Sequence, residues 1–512
     1  MNNQTVNRIL ELNQKHLLGK GKLFKTEQSY YLYDTGTSKV ARIAKEIYLI
    51  LEEMFNNNNI SVELEEIVNK VDEDTLKEFL NVIEEENLLD AIDCECLATA
   101  KYVEIAEKEV NQNLNQIILE LTESCNLRCG YCIYNEHYDG NRQFGEKTMK
   151  QEVAKRAIDY LNVHGGDEVA VTFYGGEPLI NYKLMKWCID YADKVINNKK
   201  LSYSFTTNLT LLTDDIANYL KNVENLHVVC SLDGPENVHD SYRRKIDGRG
   251  SFNDAIRGLK YLIEAFGDDA VKKIAINLVF APPYTYEKLD TIESFFTGLE
   301  WLPSGIPIDV TYTSEGSVDD KDHLKELGEK KEYLTHSNGV NPLLLRGTDR
   351  FMNSGNESFM AANVTPMLLD IHKRIIMNQP YEVYPFNACC YPGARRLYIS
   401  TEGNFYICER IGTSPDIGNV FDGVNINNIR KYYLFDYSNR MSEKCNLCWA
   451  KRMCKICYAK CFDDSGLTPK ETIIEGLCNQ MRNYVESELV LYHNILESSP
   501  EKLDYLNKIV IV

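Results

Sequence analysis

The chain has 512 residues and a formal net charge of −20 at pH 7. This excess of acidic side chains argues against a general binder of nucleic acid or of an anionic membrane surface. The apolar share of 44% supports packed cores, and the length allows two or three domains. The sequence shows no signal-peptide core and no apolar run of membrane-spanning length, so we expect a cytoplasmic protein. In such a compartment the 16 cysteines indicate metal or cluster ligation rather than disulfides.

Residues 1–110 are predicted to form a small module in which three strands precede three helices. The predicted strands are 21–26, 29–37 and 39–43, and the predicted helices are 44–55, 62–71 and 74–89. This pattern resembles the winged-helix-like peptide-recognition element fused to enzymes that modify ribosomally made peptides. The resemblance implies that the leader of a precursor peptide adds a strand to the edge of the sheet. A winged helix for dimerisation or packing is the alternative.

Residues 115–315 alternate strand and helix, which predicts an α/β fold with a parallel sheet. The predicted strands are 116–121, 168–174, 201–208, 226–232, 272–280 and 307–313. Six strand–helix repeats with right-handed crossovers favour a partial (β/α)6 barrel. In such a fold the functional residues lie at the carboxyl ends of the strands.

The loop CNLRCGYC follows the first of these strands and presents Cys125, Cys129 and Cys132 in the spacing C-x3-C-x2-C. Three thiolates on one loop can hold three irons of a [4Fe–4S] cluster and leave the fourth iron without a protein ligand. A structural zinc site instead takes four closed ligands, and the next cysteine along the chain is Cys188. The spacing therefore predicts a cluster.

With Tyr131 before its third cysteine, this loop resembles the signature of the radical S-adenosylmethionine (SAM) enzymes. The resemblance implies a partial barrel of the radical SAM type and a [4Fe–4S] cluster whose open iron chelates SAM. It also implies reductive cleavage of SAM to a 5′-deoxyadenosyl radical, which abstracts hydrogen from the substrate. A reducing partner such as flavodoxin or ferredoxin follows from the same resemblance.

A second motif, YGGEP, ends the next predicted strand. Gly175 and Gly176 allow the backbone to approach a ligand closely, Glu177 offers a carboxylate, and Pro178 fixes the turn. In the radical SAM family this turn positions the amino and carboxylate region of SAM. The resemblance therefore implies that these residues bind SAM.

The two following strands also end in polar motifs, TTN and SLDGP. The resemblance implies that Asn208, Ser231 and Asp233 contact the ribose and methionine parts of SAM. Arg243 is a donor suited to the carboxylate of SAM, and an ordinary surface arginine is the alternative. We expect His239 to be structural rather than catalytic.

Residues 316–386 are predicted to bridge to a cysteine-rich region. Helical patterns at 319–334 and 362–377 flank an Asn- and Gly-rich stretch at 347–358. The segment is either an insertion that gates the substrate or a plain connection.

Residues 387–482 contain nine cysteines, and residues 483–512 are predicted to form a C-terminal helix and tail. The cysteines are Cys389, Cys390, Cys408, Cys445, Cys448, Cys454, Cys457, Cys461 and Cys478. Their spacing resembles the SPASM domain, which carries two auxiliary [4Fe–4S] clusters in peptide-maturing radical SAM enzymes. Two structural zinc sites are the alternative, since C-x2-C pairs also serve zinc.

The resemblance assigns the cysteines to two clusters. By family precedent Cys445, Cys448, Cys454 and Cys478 hold one cluster. The other takes Cys408, one of Cys389 and Cys390, and one of Cys457 and Cys461. The last choice stays open because position 458 is a tyrosine where the family spacing requires a cysteine.

These features together predict a radical SAM–SPASM maturase of a ribosomally made precursor peptide. The expected product is a thioether between a Cys sulfur and a carbon, as in the sactipeptide- and ranthipeptide-forming enzymes. A carbon–carbon cross-linking maturase is the close rival. An anaerobic sulfatase-maturing enzyme, which makes formylglycine, is a further enzyme alternative, and a zinc-bearing peptide-binding regulator is the non-enzyme alternative.

Overall fold

The structure is a computed structural model, and it describes most of the chain. The described residues are 3–13, 17–56, 62–93, 100–136, 138, 141–314, 316–318, 342–354, 358–382, 392–393, 395–410, 413–463, 466–468 and 470–510. Within these ranges no helix has both the length and the apolar character needed to cross a membrane.

The N-terminal module contains the predicted three-stranded antiparallel sheet, in the order β1-β2-β3. Its elements are α1 (Asn3–Asn13), β1 (Gly21–Lys25), β2 (Tyr30–Asp34), β3 (Val40–Ile43), α2 (Lys45–Asn56), α3 (Val62–Val68) and α4 (Glu73–Glu86). The sequence prediction did not include α1. The following helix, α5 (Ala100–Gln112), also lies where no element was predicted.

The central part of the chain alternates strands and helices as predicted. Its strands are β4 (Leu114–Thr122), β5 (Leu127–Cys129), β6 (Gly165–Gly175), β7 (Lys200–Thr207), β8 (Leu226–Ser231), β9 (Arg243–Lys245), β10 (Ile274–Phe280) and β11 (Ile308–Tyr312). Its helices are α6 (Gln151–His164), α7 (Tyr182–Val195), α8 (Asp214–Lys221), α9 (Glu236–Tyr242), α10 (Phe252–Phe266), α11 (Ala270–Lys273) and α12 (Tyr286–Thr297). The predicted α/β fold is confirmed.

The C-terminal part adds shorter strands and a long final helix. Its helices are α13 (Pro342–Ser354), α14 (Phe359–Ala362), α15 (Thr365–His372), α16 (Ile426–Asn428), α17 (Tyr437–Asn446) and α18 (Glu471–Ser498). Its strands are β12 (Leu397–Ile399), β13 (Phe405–Tyr406), β14 (Gly418–Asn419), β15 (Gly423–Val424), β16 (Phe462–Asp463) and β17 (Gly466–Leu467).

The structure describes only part of the segment that bridges to the cysteine-rich region. Residues 347–354, the first part of the Asn- and Gly-rich stretch, lie in α13, because the apolar residues that precede them start a helix that continues through Gly347. The predicted helix at 319–334 falls outside the described residues.

The central sheet has eight strands in the order β11-β10-β8-β7-β6-β4-β12-β13. The six predicted strands are parallel neighbours. The cysteine-rich region supplies the other two, because β12 pairs in parallel with β4, the strand that leads into CNLRCGYC. This pairing was not predicted, and it places the region that carries Cys408 beside β4.

The N-terminal module shares a hydrophobic core with the C-terminal helix. Phe24 and Tyr31 of the module sheet are buried in one cluster with Leu489 of α18. The Tyr31 hydroxyl donates to Glu497 Oε1 at 2.8 Å, and the Thr35 hydroxyl donates to the carbonyl of Trp449 at 3.0 Å. The module is therefore packed against the cysteine-rich region.

Candidate iron–sulfur and SAM site

The three cysteines of CNLRCGYC lie together at the carboxyl end of β4. Burial raises the pKa of Cys125 and Cys129 to about 12 and that of Cys132 to about 11. Each of the three thiols also carries a Coulombic contribution from another of them, so the sulfur atoms are near neighbours. Leu127, which lies between Cys125 and Cys129 in the sequence, starts the short strand β5, and β5 pairs with β9.

The glycines of YGGEP hold this loop in place. A Cβ on Gly176 would lie 2.1 Å from the carbonyl oxygen of Ser124 and 2.9 Å from the backbone nitrogen of Cys125. A Cβ on Gly175, whose φ is +131°, would lie 2.2 Å from the carbonyl oxygen of Thr122. The close approach predicted from these glycines is therefore made to the cysteine loop itself.

The side chain of Glu177, which follows β6, connects the end of β6 with the end of β7. It is 1% exposed, and its carboxylate accepts from the backbone N–H of Asn208 at 2.8 Å and from the Thr207 hydroxyl at 2.9 Å. Burial raises the pKa of Glu177 to about 7, although these donors favour the charged form. Pro178 is the first residue of a short 3-10 turn, where its missing N–H is tolerated.

The side chain of Asn208 contacts the loop next to Cys125. Its side-chain nitrogen donates to Asn126 Oδ1 at 2.9 Å and lies 3.9 Å from Cys125 Sγ. Its side-chain oxygen accepts from the Thr210 hydroxyl at 2.6 Å. The TTN motif thus fixes the position of the loop residue that follows Cys125.

Asp233 and Arg243 form a buried ion pair beneath the cysteine loop. Arg243 Nε donates to Asp233 Oδ2 at 2.9 Å, and the Tyr131 hydroxyl donates to the same oxygen. The Arg243 guanidinium lies 5.5 Å from the centre of the Tyr131 ring, and its charge opposes the burial that raises the pKa of Cys129. Arg243 is thus a buried residue that contacts the loop, which excludes the surface alternative.

His239, which the sequence analysis expects to be structural, lies between Asp233 and Ser251. It is fully buried, its Nδ1 lies 3.4 Å from the backbone nitrogen of Asp233, and its Nε2 lies 3.1 Å from the Ser251 hydroxyl. Burial lowers its pKa to about 4. Ser231 is buried at the end of β8.

The sequence prediction missed a polar group inside the sheet. Glu120 on β4 is 1% exposed and accepts from Arg142 Nε at 2.6 Å. The Arg142 guanidinium lies 4.1 Å from the centre of the Tyr134 ring. The Tyr134 hydroxyl is buried without a hydrogen-bond partner among the described residues. A tyrosine two positions after the third cysteine is the signal that could have found this group.

Four of the C-terminal cysteines line one cavity of about 430 Å³. They are Cys445, Cys448, Cys454 and Cys478. Burial, together with the charges of the other three thiols, raises the pKa of Cys454 to about 12. The structure thus brings together the four cysteines that family precedent assigned to one auxiliary cluster.

The second auxiliary site is described in part. Burial raises the pKa of Cys408 to about 12, and the charge of Cys457 also acts to raise it, so these two thiols lie near each other. Cys461 is fully buried, and burial raises its pKa to about 12; the charges of Cys478 and then of Cys457 also act to raise this pKa. Cys389 and Cys390 lie outside the described residues.

The donor sets suit iron–sulfur clusters. Within the described ranges no three His, Cys, Asp or Glu side chains form a group that could hold a single metal ion. In a [4Fe–4S] cluster each thiolate binds its own iron, so its ligands do not converge on one point. Buried thiols must lose their protons to bind metal, and the charge of the metal reverses the effect of burial on their pKa.

Comparison with known proteins identifies the central part of the chain. Residues 119–296 match the radical SAM superfamily. The chain is 31% identical over 166 residues to the radical SAM cyclopropyl synthase TigE of Paramaledivibacter caminithermalis, which is 30% of this chain and 34% of TigE. It is 31% identical over 140 residues to the serine-type anaerobic sulfatase-maturating enzyme of Bacteroides thetaiotaomicron, which is 27% of this chain and 34% of that enzyme. The chain thus spans about a third of the length of these relatives.

A solved structure shares the fold. The anSMEcpe protein with bound AdoMet superposes with a TM-score of 0.55 at 18% identity and covers 78% of this chain and 96% of its own. The chain therefore contains a radical SAM domain, as the CNLRCGYC motif predicted. Enzymes of this superfamily use a [4Fe–4S] cluster and SAM.

Replacing Gly176 with alanine tests whether the YGGEP turn holds the cysteine loop. Because its Cβ would meet the backbone of Ser124 and Cys125, we expect Gly176→Ala to lose about four irons per chain, which is one cluster. Gly166→Ala in the same strand is the control, since its Cβ would have no neighbour closer than 3.8 Å. Iron and sulfide content measured after anaerobic reconstitution distinguishes the two variants. Full iron in Gly176→Ala would refute the assigned role of this contact.

Single replacements of Cys457 and Cys461 test which of them is a cluster ligand. Because Cys457 lies near Cys408, we expect Cys457→Ala to lower the iron and sulfide content and Cys461→Ala to retain it. The opposite result would assign the ligand to Cys461.

Proposed function

We propose that this chain, through its radical SAM domain, forms a thioether between a Cys sulfur and a carbon atom in a ribosomally made precursor peptide. The observation that carries the proposal is the presence of two separate thiol sites. Three thiols gather at the end of β4, and four more line one cavity in the C-terminal region. A radical SAM domain alone requires the first site only, whereas peptide maturases with a SPASM domain use both.

The proposed ligands of the SAM-binding cluster are Cys125, Cys129 and Cys132. When bound, the cluster and SAM supply a 5′-deoxyadenosyl radical that abstracts hydrogen. The protein holds the loop by its contact with Gly176 and by the side chain of Asn208.

The SAM contacts proposed from the family remain Tyr131, Gly175, Gly176, Glu177, Pro178, Asn208, Ser231, Asp233 and Arg243. Most of these groups lie at the carboxyl ends of β6, β7 and β8. Gly176 and Asn208 among them contact the cysteine loop. We therefore propose that these groups orient both SAM and the loop.

The polar group around Tyr134 is the proposed wall of the substrate site. Burial raises the pKa of Tyr174 to about 12, and the charges of Glu409 and Cys132 also act to raise it, so Tyr174 lies near both the cysteine loop and the residue that follows Cys408. A radical formed on a peptide at this position is shielded from water by buried side chains.

The free edge of the N-terminal sheet is the proposed leader site. Asp34 N donates to the carbonyl of Lys39 at 2.9 Å, and β2 then pairs with β3 from Tyr33↔Val40 to Tyr30↔Ile43. In an antiparallel ladder hydrogen-bonded pairs alternate with non-bonded pairs. The backbone groups of Val40 and Arg42 therefore point away from β2 and are placed to pair with an added strand.

A second candidate function is anaerobic sulfatase maturation. It is favoured by the sequence relatives that carry that name and by the fold shared with anSMEcpe, which has also been solved with the peptide Cp18Cys. The N-terminal module favours the peptide maturase, because it supplies a sheet edge for a leader.

The triple variant Cys125→Ala, Cys129→Ala, Cys132→Ala tests the proposed chemistry. We expect it to produce no 5′-deoxyadenosine from SAM under reducing conditions while it retains the iron of the auxiliary sites. The wild-type protein, incubated with a Cys-rich peptide encoded in a neighbouring reading frame, should remove two hydrogen atoms and one free thiol per cross-link.

Mass spectrometry and thiol alkylation separate the alternatives. Loss of two hydrogens with all thiols retained would indicate a carbon–carbon cross-link, and a new aldehyde would indicate formylglycine. Unchanged SAM cleavage by the triple variant would refute the cluster assignment.

Replacing Arg42 with proline tests the leader site. Proline lacks the N–H that Arg42 directs away from β2, and proline is tolerated on edge strands. We therefore expect Arg42→Pro to weaken binding of the Cys-rich precursor peptide by about tenfold. Arg42→Ala retains the N–H and is the control. Calorimetric titration measures both, and equal affinity in the two variants would contradict an added strand at this edge.

A further inference from the structure

The outer face of the cysteine loop carries a basic patch on a chain whose net charge is −20. We define the basic patch by its five cationic side chains, Arg128, Arg244, Lys245, Arg249 and Arg257. Asp247 pairs with Arg249, and Asp254 pairs with Lys245 and Arg257. Among the described residues, Arg128 and Arg244 are the patch cations without a carboxylate partner, on a chain of opposite net charge.

Two arginines of the patch lie directly opposite each other. In the register of β5 and β9, Arg128 pairs with Arg244, and the neighbouring pair is Cys129 with Arg243. Successive side chains of a strand point to opposite faces, and accordingly Arg128 and Arg244 are exposed whereas Arg243 is buried. Like charges in a cross-strand pair destabilise a sheet. An anionic partner would relieve this repulsion.

Both arginines are held at the surface by hydrogen bonds. The Arg128 guanidinium donates to the carbonyls of Cys125 and Leu127, each at 2.8 Å, and lies 4.2 Å from the centre of the Phe144 ring. Arg244 Nε donates to the carbonyl of Asp240 at 3.0 Å. The positive charges are thus pre-positioned, and one of them is adjacent in sequence to a proposed cluster ligand.

An open groove of about 410 Å³ adjoins the patch. It is lined by Asn126, Thr210, Leu211, Lys245, Ile246, Asp247 and Asp254. Ile246 is 64% exposed. An exposed apolar side chain among charges suits a small, transient interface of the size that electron-transfer proteins form.

We propose that the basic patch and the groove beside it dock an acidic one-electron carrier protein of the ferredoxin or flavodoxin type. The inference rests on the proposed function, in which each SAM cleaved consumes one electron that the carrier loses. Charge complementarity favours an acidic partner, and Arg128 directly precedes Cys129 in the loop, which gives the electron a short path through the loop. The patch steers the carrier to the side of the barrel where the cluster ligands lie.

Charge reversal at two patch residues tests this surface. The variant is Arg244→Glu with Arg249→Glu, because neither side chain belongs to the proposed SAM or cluster ligands. Lys200→Glu with Lys272→Glu is the control, since these exposed lysines lie at the other end of the sheet, Lys200 at the start of β7 and Lys272 in α11 just before β10. The holoenzyme is assayed for 5′-deoxyadenosine with a reduced two-cluster bacterial ferredoxin and, separately, with photoreduced 5-deazariboflavin, which is uncharged.

We expect the patch variant to lose about tenfold in the ferredoxin-driven rate at low salt, with an unchanged deazaflavin-driven rate. The control should keep both rates. An unchanged ferredoxin-driven rate, or an equal loss in the control, overturns the docking site. A loss of peptide or oligonucleotide affinity without a loss of ferredoxin affinity assigns the face to another partner and also overturns it.

The dissociation constant of the ferredoxin distinguishes the cases in which the two rates alone do not test the docking surface. If both rates fall together, a dissociation constant raised about tenfold by the patch variant supports the site, and an unchanged constant overturns it. If the wild-type protein makes no 5′-deoxyadenosine with either reductant, the proposed function fails, and the binding measurement still tests the docking surface by itself.

Discussion

The backbone contact between the YGGEP turn and the cysteine loop is the constraint on which the site depends. Gly176 N donates to the carbonyl of Thr122 at 2.9 Å and Glu177 N to that of Ser124 at 3.0 Å, so the end of β6 continues as a partner of the loop. Any side chain at 176 would displace Cys125. The position of Cys125 therefore depends on the absence of a side chain at Gly176. On the other side of the loop, Arg243, which pairs with Asp233, lies beside Cys129.

A second dependence links the two ends of the chain. Leu18 of the N-terminal module lines the cavity of the four C-terminal cysteines, and a Cβ on Gly19 would lie 2.8 Å from the carbonyl oxygen of Asn446. The carbonyl of Trp449, next to Cys448, accepts from Thr35 of the module. The proposed leader site and the proposed auxiliary cluster are thus parts of one packed unit, and point replacements are better tests of leader binding than removal of the module.

The sequence predicted the six parallel strands because each is an apolar run bounded by polar turns, and it predicted the cysteine loop because thiol spacing is local. It could not predict that β12 joins β4, since a three-residue strand carries little periodicity and its partner is nearly 280 residues away. The role of Gly176 was predicted as an approach to a ligand, whereas the structure shows an approach to Ser124, which only tertiary contact reveals. The group around Tyr134 was missed for the same reason, because Glu120 and Arg142 meet only in the folded chain.

The proposed chemistry depends on which metal the buried thiols bind. The most direct measurement is the iron, sulfide and zinc content of anaerobically purified protein, followed by electron paramagnetic resonance of the reduced protein with and without SAM. Three clusters predict about twelve irons per chain and a cluster signal that changes when SAM is added. Stoichiometric zinc with no iron would contradict the account.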